Sequence, residues 1–253
     1  MKRLVLDIGN TRTSVGVFID GSLDVQWRIT TTHWTADDLW VILRSLLKAN
    51  DSGLPERVVF ACVVPQVRHS VRILSKRYLG VESIEVNQES SGIAIDCKFP
   101  HEIGADRLAN AVGALALGSP PAIIVDFGTA TTFDVINEAG TYLGGAISPG
   151  VGTAAGELFK KAEKINPVDL EFPESPLGQS TSEAVCSGVL LGAVGATDYI
   201  VDKLKSTVKG TPELWATGGW APGIAGKCRN NFKIYPELTL VGIDRIGERA
   251  ENG

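Results

Sequence analysis

Charge of one sign never accumulates in this 253-residue chain: 24 Lys and Arg stand against 29 Asp and Glu, the formal net charge is −5, and no run of basic residues exceeds a pair. The electrostatic footprint of a duplex-binding protein is therefore missing, and nucleic acid is not an expected partner. Cysteine is scarce as well. Cys62, Cys97, Cys186 and Cys228 lie far apart with no C-x-x-C spacing, which argues against zinc, redox and haem patterns and suggests free, buried thiols in a reducing compartment. The three histidines, His33, His69 and His101, share no ligand spacing and are expected at the surface or at helix caps. Long apolar runs are lacking too: Asp7 interrupts the first, leaving no signal-peptide core, and no stretch approaches the roughly 18 apolar residues of a membrane span. A soluble, cytoplasmic protein with no membrane partner is expected.

Two common nucleotide signatures are also missing. No G-x-x-x-x-G-K-[ST] occurs, since Gly226-Lys227-Cys228 lacks both the upstream glycine and the hydroxyl. Gly150-Val-Gly152-Thr-Ala-Ala-Gly156 has one residue too many before its last glycine to be a dinucleotide fingerprint. It reads as a glycine turn opening a helix whose amides could face a phosphate.

What is there begins with short apolar strands. Leu4 to Ile8 and Ser14 to Phe18 form a hairpin pattern, and a third strand follows at Val25 to Thr30. Thr35 with Asp37 and Asp38 starts a helix carrying Leu39, Val41, Ile42, Leu46 and Leu47 at helical spacing. A strand over Arg57 to Val63, a helix from Pro65 to about Arg77 and a strand over Val81 to Val86 complete the first half. The second half repeats the theme: a helix from about Ala105 to Leu117, strands at Ala122 to Val125, Thr131 to Ile136 and Tyr142 to Ile147, and a long apolar helix from Thr181 to about Lys205. Strands at Leu214 to Thr217 and near Lys233, then a helix from about Leu240, close the chain.

Leu4-Val-Leu-Asp7-Ile-Gly9-Asn-Thr11 superimposes on Ile123-Ile-Val-Asp126-Phe-Gly128-Thr-Ala130 at a constant offset of 126 − 7 = 119. The same offset sets Thr13 on Thr132 and Val17 on Ile136. Residues 1–118 and 119–253 are accordingly expected as two similar α/β halves facing one cleft. Gly9 and Gly128 let backbone amides approach a phosphate, while Asn10, Thr11, Thr129 and Thr131 add donors. Asp7 and Asp126 repel phosphate, so they are either turn-forming residues or partners of a cation such as Mg²⁺ that bridges to it. Gly104-Ala105-Asp106-Arg107 begins a helix. There Asp106 is either an acidic residue matching the helix dipole or a general base, with Arg107 clamping an anionic substrate.

Asp7-Ile-Gly-Asn-Thr11, Gly104-Ala-Asp-Arg107, Asp126-Phe-Gly-Thr-Ala-Thr-Thr-Phe-Asp134, Gly144-Gly-Ala-Ile-Ser-Pro-Gly150 and Ala216-Thr-Gly-Gly219, in this order, closely resemble the type III pantothenate kinases over nearly the whole chain. The resemblance implies duplicated ribonuclease-H-like domains of the actin-like ATPase superfamily. It also implies transfer of the ATP γ-phosphate to the 4′-hydroxyl of pantothenate, the first step of coenzyme A synthesis, by a homodimer. By it Asp106 is the catalytic proton acceptor, and Asp7, Ile8, Gly9, Asn10, Thr11, Arg12, Thr13 and Ser14 form the first phosphate-binding turn. Thr129 touches ATP, Asp126 holds a monovalent cation, K⁺ or NH₄⁺, and Gly104, Ala105, Asp106, Arg107 and Thr181 hold pantothenate. The stretch Asp96-Cys-Lys-Phe-Pro-His101 departs from the family, which often carries an aromatic residue and an Asn-Pro pair there. Other readings are a kinase or phosphatase of the same superfamily with another acceptor, and a non-catalytic accessory regulator.

Overall fold

The computed structural model describes residues 1–162 and 164–252, divided into two compact units. Residues 1–117 and 237–253 make the first and residues 118–236 the second.

In the first unit, β1 (Lys2–Ile8), β2 (Arg12–Ile19), β3 (Ser22–Thr30), β4 (Arg57–Cys62) and β5 (Ser83–Glu85) form a sheet of order β3-β2-β1-β4-β5. β1, β2 and β3 are antiparallel neighbours, while β4 runs parallel to β1 and to β5. Side chains of β1 and β4 are buried on both faces, as parallel central strands require. Helix α1 (Ala36–Ala49) starts in a capping box between Thr35 and Asp38 and turns Leu39, Trp40, Leu43 and Leu47 into this core. Helix α2 (Pro65–Leu74) begins on a proline and stops three residues earlier than the pattern to Arg77 predicts. A π-helical turn, Ser75–Leu79, follows it and ends at Gly80 in the left-handed region, φ 69°. The short helix α3 (Gln88–Ser91) and helix α4 (Ala105–Leu117) complete the first stretch.

The C-terminal helix, Leu238–Asn252, belongs to this first unit and not to the second half in which the sequence reading set it. Its cause is a close helix crossing. A Cβ on Gly242 would overlap the carbonyl of Ala109 in α4, and one on Gly113 would lie 2.5 Å from the carbonyl of Leu238. The buried ion pair from Arg3 Nε to Asp244 Oδ1, 2.7 Å, then ties the helix to β1.

In the second unit, β6 (Ala122–Phe127), β7 (Ala130–Ile136), β8 (Tyr142–Pro149), β9 (Glu213–Thr217) and β10 (Lys233–Ile234) form a sheet of order β10-β9-β6-β7-β8. Read from its first strand, this is the order of the first sheet again, with the same parallel and antiparallel pairings. The repeat found in sequence is therefore topological. Its register corrects one detail. Asp7 faces Ser14, whereas Asp126 faces Thr132, so the returning strands match at 132 − 14 = 118 and Thr132 is the counterpart of Ser14. The offset slips because the second turn is one residue shorter.

Helices α5 (Val151–Lys161), α6 (Thr181–Lys205) and α7 (Ala221–Ala225) accompany this sheet, and the core gathers Ile123, Val125, Phe133, Leu190, Val201 and Ile224. Contrary to the expectation from apolar runs, α6 is long and apolar enough by length and composition to cross a membrane, with a mean hydropathy of 1.6 and 39% of that window buried. Buried Asp198 in α6 accepts the N–H groups of Arg229 and Asn230 at 2.9 and 3.1 Å, pinning the chain that leads to β10. Of the cysteines, Cys62 and Cys186 are buried as expected, but Cys97 and Cys228 are only half-buried.

Candidate active site

The β1–β2 turn carries the first group of expected residues. Asp7 is half-buried near the carboxyl end of β1, opposite Ser14 and beside Ala61 of β4. The Gly9 N–H donates to the Arg12 carbonyl at 3.0 Å, and the Thr31 N–H donates to the Thr11 carbonyl at 3.0 Å, so the turn is fixed at both ends. Asn10, Thr11 and Arg12 are exposed and point their polar groups away from the core. Two members of the stretch do otherwise. Ile8 is packed in the core, and the buried Thr13 hydroxyl hydrogen-bonds Thr31 Oγ1 at 2.8 Å. Only backbone groups of these two can serve a ligand.

Gly104 to Arg107 sits in the same unit, where Gly104 leads into α4. A Cβ at Gly104 would overlap Asp106 Oδ1, so glycine is what allows the carboxylate to fold back over the helix start. There Asp106 Oδ1 accepts the Arg107 N–H at 2.9 Å. Burial pushes the Asp106 carboxyl above the ordinary aspartate range, opposed by that N–H and by the Arg107 charge. A cavity of about 350 Å³ opens beside Gly104 and Ala105, lined also by Cys62, Arg68, Glu85 and His101. Cys62 follows the parallel pairing of Ile8 and lies close enough to feel the charge of Asp7. The carboxyl ends of β1 and β4 and the start of α4 thus meet at one pole of the first sheet, where open α/β sheets take their ligands.

The second unit holds the β6–β7 turn. The Gly128 N–H donates to the Ala130 carbonyl at 3.1 Å, leaving Gly128 and Thr129 exposed at the tip. The Thr129 carbonyl accepts two bonds from the start of α5, the Gly150 N–H at 3.0 Å and the Thr153 hydroxyl at 2.6 Å. Gly150 has no room for a side chain, since its Cβ would overlap the carbonyls of Gly128 and Thr129. Gly218, at φ 91°, closes the other side, where a Cβ would lie 2.5 Å from Asp126 Oδ1. α5 has no side-chain cap, so its first N–H groups stay open to an anion. Thr181, exposed, is the first residue of α6, one residue past the N-cap Ser180. Buried Asp134, the last residue of the nine-residue motif, accepts the Tyr142 hydroxyl at 2.6 Å inside the sheet.

Sequence reasoning takes Gly150 as the turn that opens a helix and Gly218 as part of a motif, but gives Thr153 no role of its own. Arg68 and Glu85 carry no signal, because only the fold brings them beside Gly104, and His101, expected at the surface or a helix cap, is exposed in the 3-10 turn Pro100–Glu102. Among the described residues no cluster of three His, Cys, Asp or Glu side chains forms a metal site. A divalent cation would rest on a single carboxylate and phosphate oxygens, and half-buried Asp7 at the carboxyl end of β1 fits that demand.

The family profile of the type III pantothenate kinases matches residues 3–203. A type III pantothenate kinase from Desulfatibacillum aliphaticivorans is 40% identical over 254 residues, covering 98% of this chain and 99% of the relative. Among solved structures, a chain described as a Baf family transcriptional activator from Campylobacter jejuni superimposes with a TM-score of 0.62 at 18% identity, over 99% of this chain and all of that one. A ROK hexokinase from Thermus thermophilus does so with a TM-score of 0.56 at 15% identity, over the whole of both chains. Both similarities concern the fold, that of the actin-like ATPases and sugar kinases with duplicated ribonuclease-H-like units. Nearly full-length identity and the family profile together decide the rest: the chain belongs to the type III pantothenate kinase family.

Proposed function

We propose that the protein transfers the γ-phosphoryl group of ATP to the 4′-hydroxyl of pantothenate, giving 4′-phosphopantothenate and ADP in the first step of coenzyme A synthesis. One observation carries the reading: Asp106 stands at the start of α4 beside a cavity, half-buried, its carboxylate anchored by the Arg107 N–H. In this reading Asp106 accepts the hydroxyl proton as the oxygen attacks the γ-phosphorus. The new O–P bond forms while the bond to the β,γ-bridging oxygen breaks, and ADP leaves with that electron pair. A carboxyl raised by burial is a better base than an ordinary aspartate, and such a base contributes about 10²–10⁴-fold. In-line positioning and charge neutralisation supply the remainder.

The Asp7 to Ser14 turn and Thr129 would hold the ATP phosphates through backbone N–H groups and hydroxyls. A divalent cation, when bound, neutralises phosphate charge, and Asp7 is the residue that would face it. Asp126 would hold a monovalent cation, K⁺ or NH₄⁺. Gly104 to Arg107 would hold pantothenate, with Thr181 contributing a hydroxyl at a helix start. The α6 face with exposed Leu191 and Tyr199 beside the open Gly188 and Gly192 supports a homodimer. Location in the cytoplasm is part of the same proposal.

The test is ADP release by purified protein with ATP, Mg²⁺ and pantothenate, in K⁺ or Na⁺, with the product identified by mass spectrometry. Pantothenate-dependent turnover that requires K⁺ is expected. ATP binding without turnover under any cation would overturn the reading in favour of a regulator.

A further inference from the structure

A second cavity of the first unit, about 400 Å³, lies along α1 and takes no part in the proposed chemistry. Trp40, Val41, Arg44, Ser45 and Lys48 line it from the helix, and Tyr78 lines it from the π-helical turn. The spacing of four residues puts Trp40, Arg44 and Lys48 on one helix face, over a rise of about 12 Å. The two ends of that face differ in kind. At one, the rings of Trp40 and Tyr78 stack, with centroids 5.1 Å apart and planes 10° from parallel. The Tyr78 hydroxyl donates to Asp37 Oδ1 at 2.5 Å, which fixes the ring, and Arg77 offsets the Asp37 charge from 2.9 Å. A π-helical turn is rare and recurs at functional sites, and this one supplies Tyr78.

At the other end stand Arg44 and Lys48, both exposed, and among the described residues neither side chain makes an ion pair or a hydrogen bond. The cations of the neighbouring α2 and π-helical turn are matched: Arg77 by Asp37, Lys76 by Glu82 at 3.1 Å and Arg72 by Glu85 at 2.6 Å. Like charges one turn apart on a helix repel, and an anion held between them relieves that cost. The cavity volume is that of a small-molecule site. A ligand that satisfies both ends carries a flat ring at one and more than one negative charge at the other. A nucleoside diphosphate has that form, since its base offers a π-face to an aromatic ring and its phosphates pair with a guanidinium and an ammonium.

We infer that this groove is a second nucleotide site, which takes a nucleoside diphosphate with its base against Trp40 and Tyr78 and its phosphates between Arg44 and Lys48. The test is calorimetric titration of ADP into the wild type, the double variant Arg44→Gln with Lys48→Gln, and Tyr78→Leu, with pyrophosphate as a separate probe and melting curves for each protein. Two ADP sites are expected in the wild type. In the double variant the groove site should weaken about tenfold or more through the lost charge-assisted contacts, while kcat and KM for ATP stay unchanged. Tyr78→Leu should weaken it about 2- to 10-fold through the lost ring, and pyrophosphate should bind it less tightly than ADP. ADP binding that the double variant leaves unchanged in number and affinity would overturn the inference. Pyrophosphate bound as tightly as ADP, with Tyr78→Leu without effect, would make the groove a plain anion site and overturn it as well. Both cations are exposed, so the double variant decides even if Tyr78→Leu fails to fold. If the turns of the proposed kinase site bind no nucleotide, the wild type shows one site and the double variant none, so the two readings fail separately.

Discussion

In the first unit the turn after β1 exposes Asn10 and Thr11 while Gly9 is half-buried; in the second the turn after β6 exposes Gly128 and Thr129 at its tip, but its carbonyls leave no room for a side chain at Gly150. Both follow sheets of the same strand order. One strand framework thus supports two kinds of turn. A Cβ at Gly9 would lie 3.1 Å from the Arg12 carbonyl, whereas one at Gly150 would overlap the Gly128 carbonyl, so the second turn leaves less room for change. A similar contrast runs inside each unit: Asp244 in the C-terminal helix pairs with the buried Arg3 guanidinium, whereas Asp198 in α6 takes backbone N–H groups and only the exposed guanidinium of Arg229 at 3.5 Å.

The sharpest test of that contrast is stability. Asp244→Ala strands the buried Arg3 guanidinium and should lower unfolding free energy by about 3–5 kcal/mol, measured by denaturant titration. Asp198→Ala leaves buried N–H groups and, as its one charge, the solvent-exposed Arg229 guanidinium, so about 1–3 kcal/mol is expected. Burial alone would raise Asp198, but the Arg229 and Asn230 N–H groups outweigh it and hold it below the ordinary aspartate range. Its contribution is therefore present above the unfolded pKa and fades as pH falls through the lowered folded value. Equal losses in the two variants at neutral pH would break the comparison.

Next come the glycines. Gly150→Ala forces a methyl into the Gly128 and Thr129 carbonyls and should cost about 1–3 kcal/mol and weaken ATP binding by calorimetry. Gly9→Ala meets the Arg12 carbonyl at 3.1 Å and should cost less than about 1 kcal/mol. Thr153→Val removes one of the two bonds on the Thr129 carbonyl, so KM for ATP should rise about 2- to 10-fold with kcat little changed, and Thr153→Ser should restore it. A fall in kcat alone would show that Thr153 does not act through the nucleotide.

Much of this was legible in sequence because it is local. Apolar strands ending in Asp-x-Gly announce both turns, and Gly104 before Asp106 announces the start of α4. What was not legible depends on distant contact. The C-terminal helix joins the first unit through Gly242 against Ala109, a contact that no periodicity reports. The one-residue slip from Ser14 to Thr132 arises from turn length, which an ungapped repeat hides. Arg68 and Glu85 belong to no sequence motif, and only the fold sets them side by side.

The central claim, that Asp106 is the base, is tested most directly by Asp106→Asn. Burial penalises the charged form of Asp106, so the neutral asparagine should leave the melting temperature unchanged or raise it at neutral pH. Wild-type kcat/KM should fall as pH drops through a value above the ordinary aspartate range, and this acid limb should vanish in the variant. The account predicts a kcat lower by about 10²–10⁴-fold with ATP and pantothenate still bound in calorimetry. Turnover within about twofold of wild type, with the acid limb intact, would contradict it.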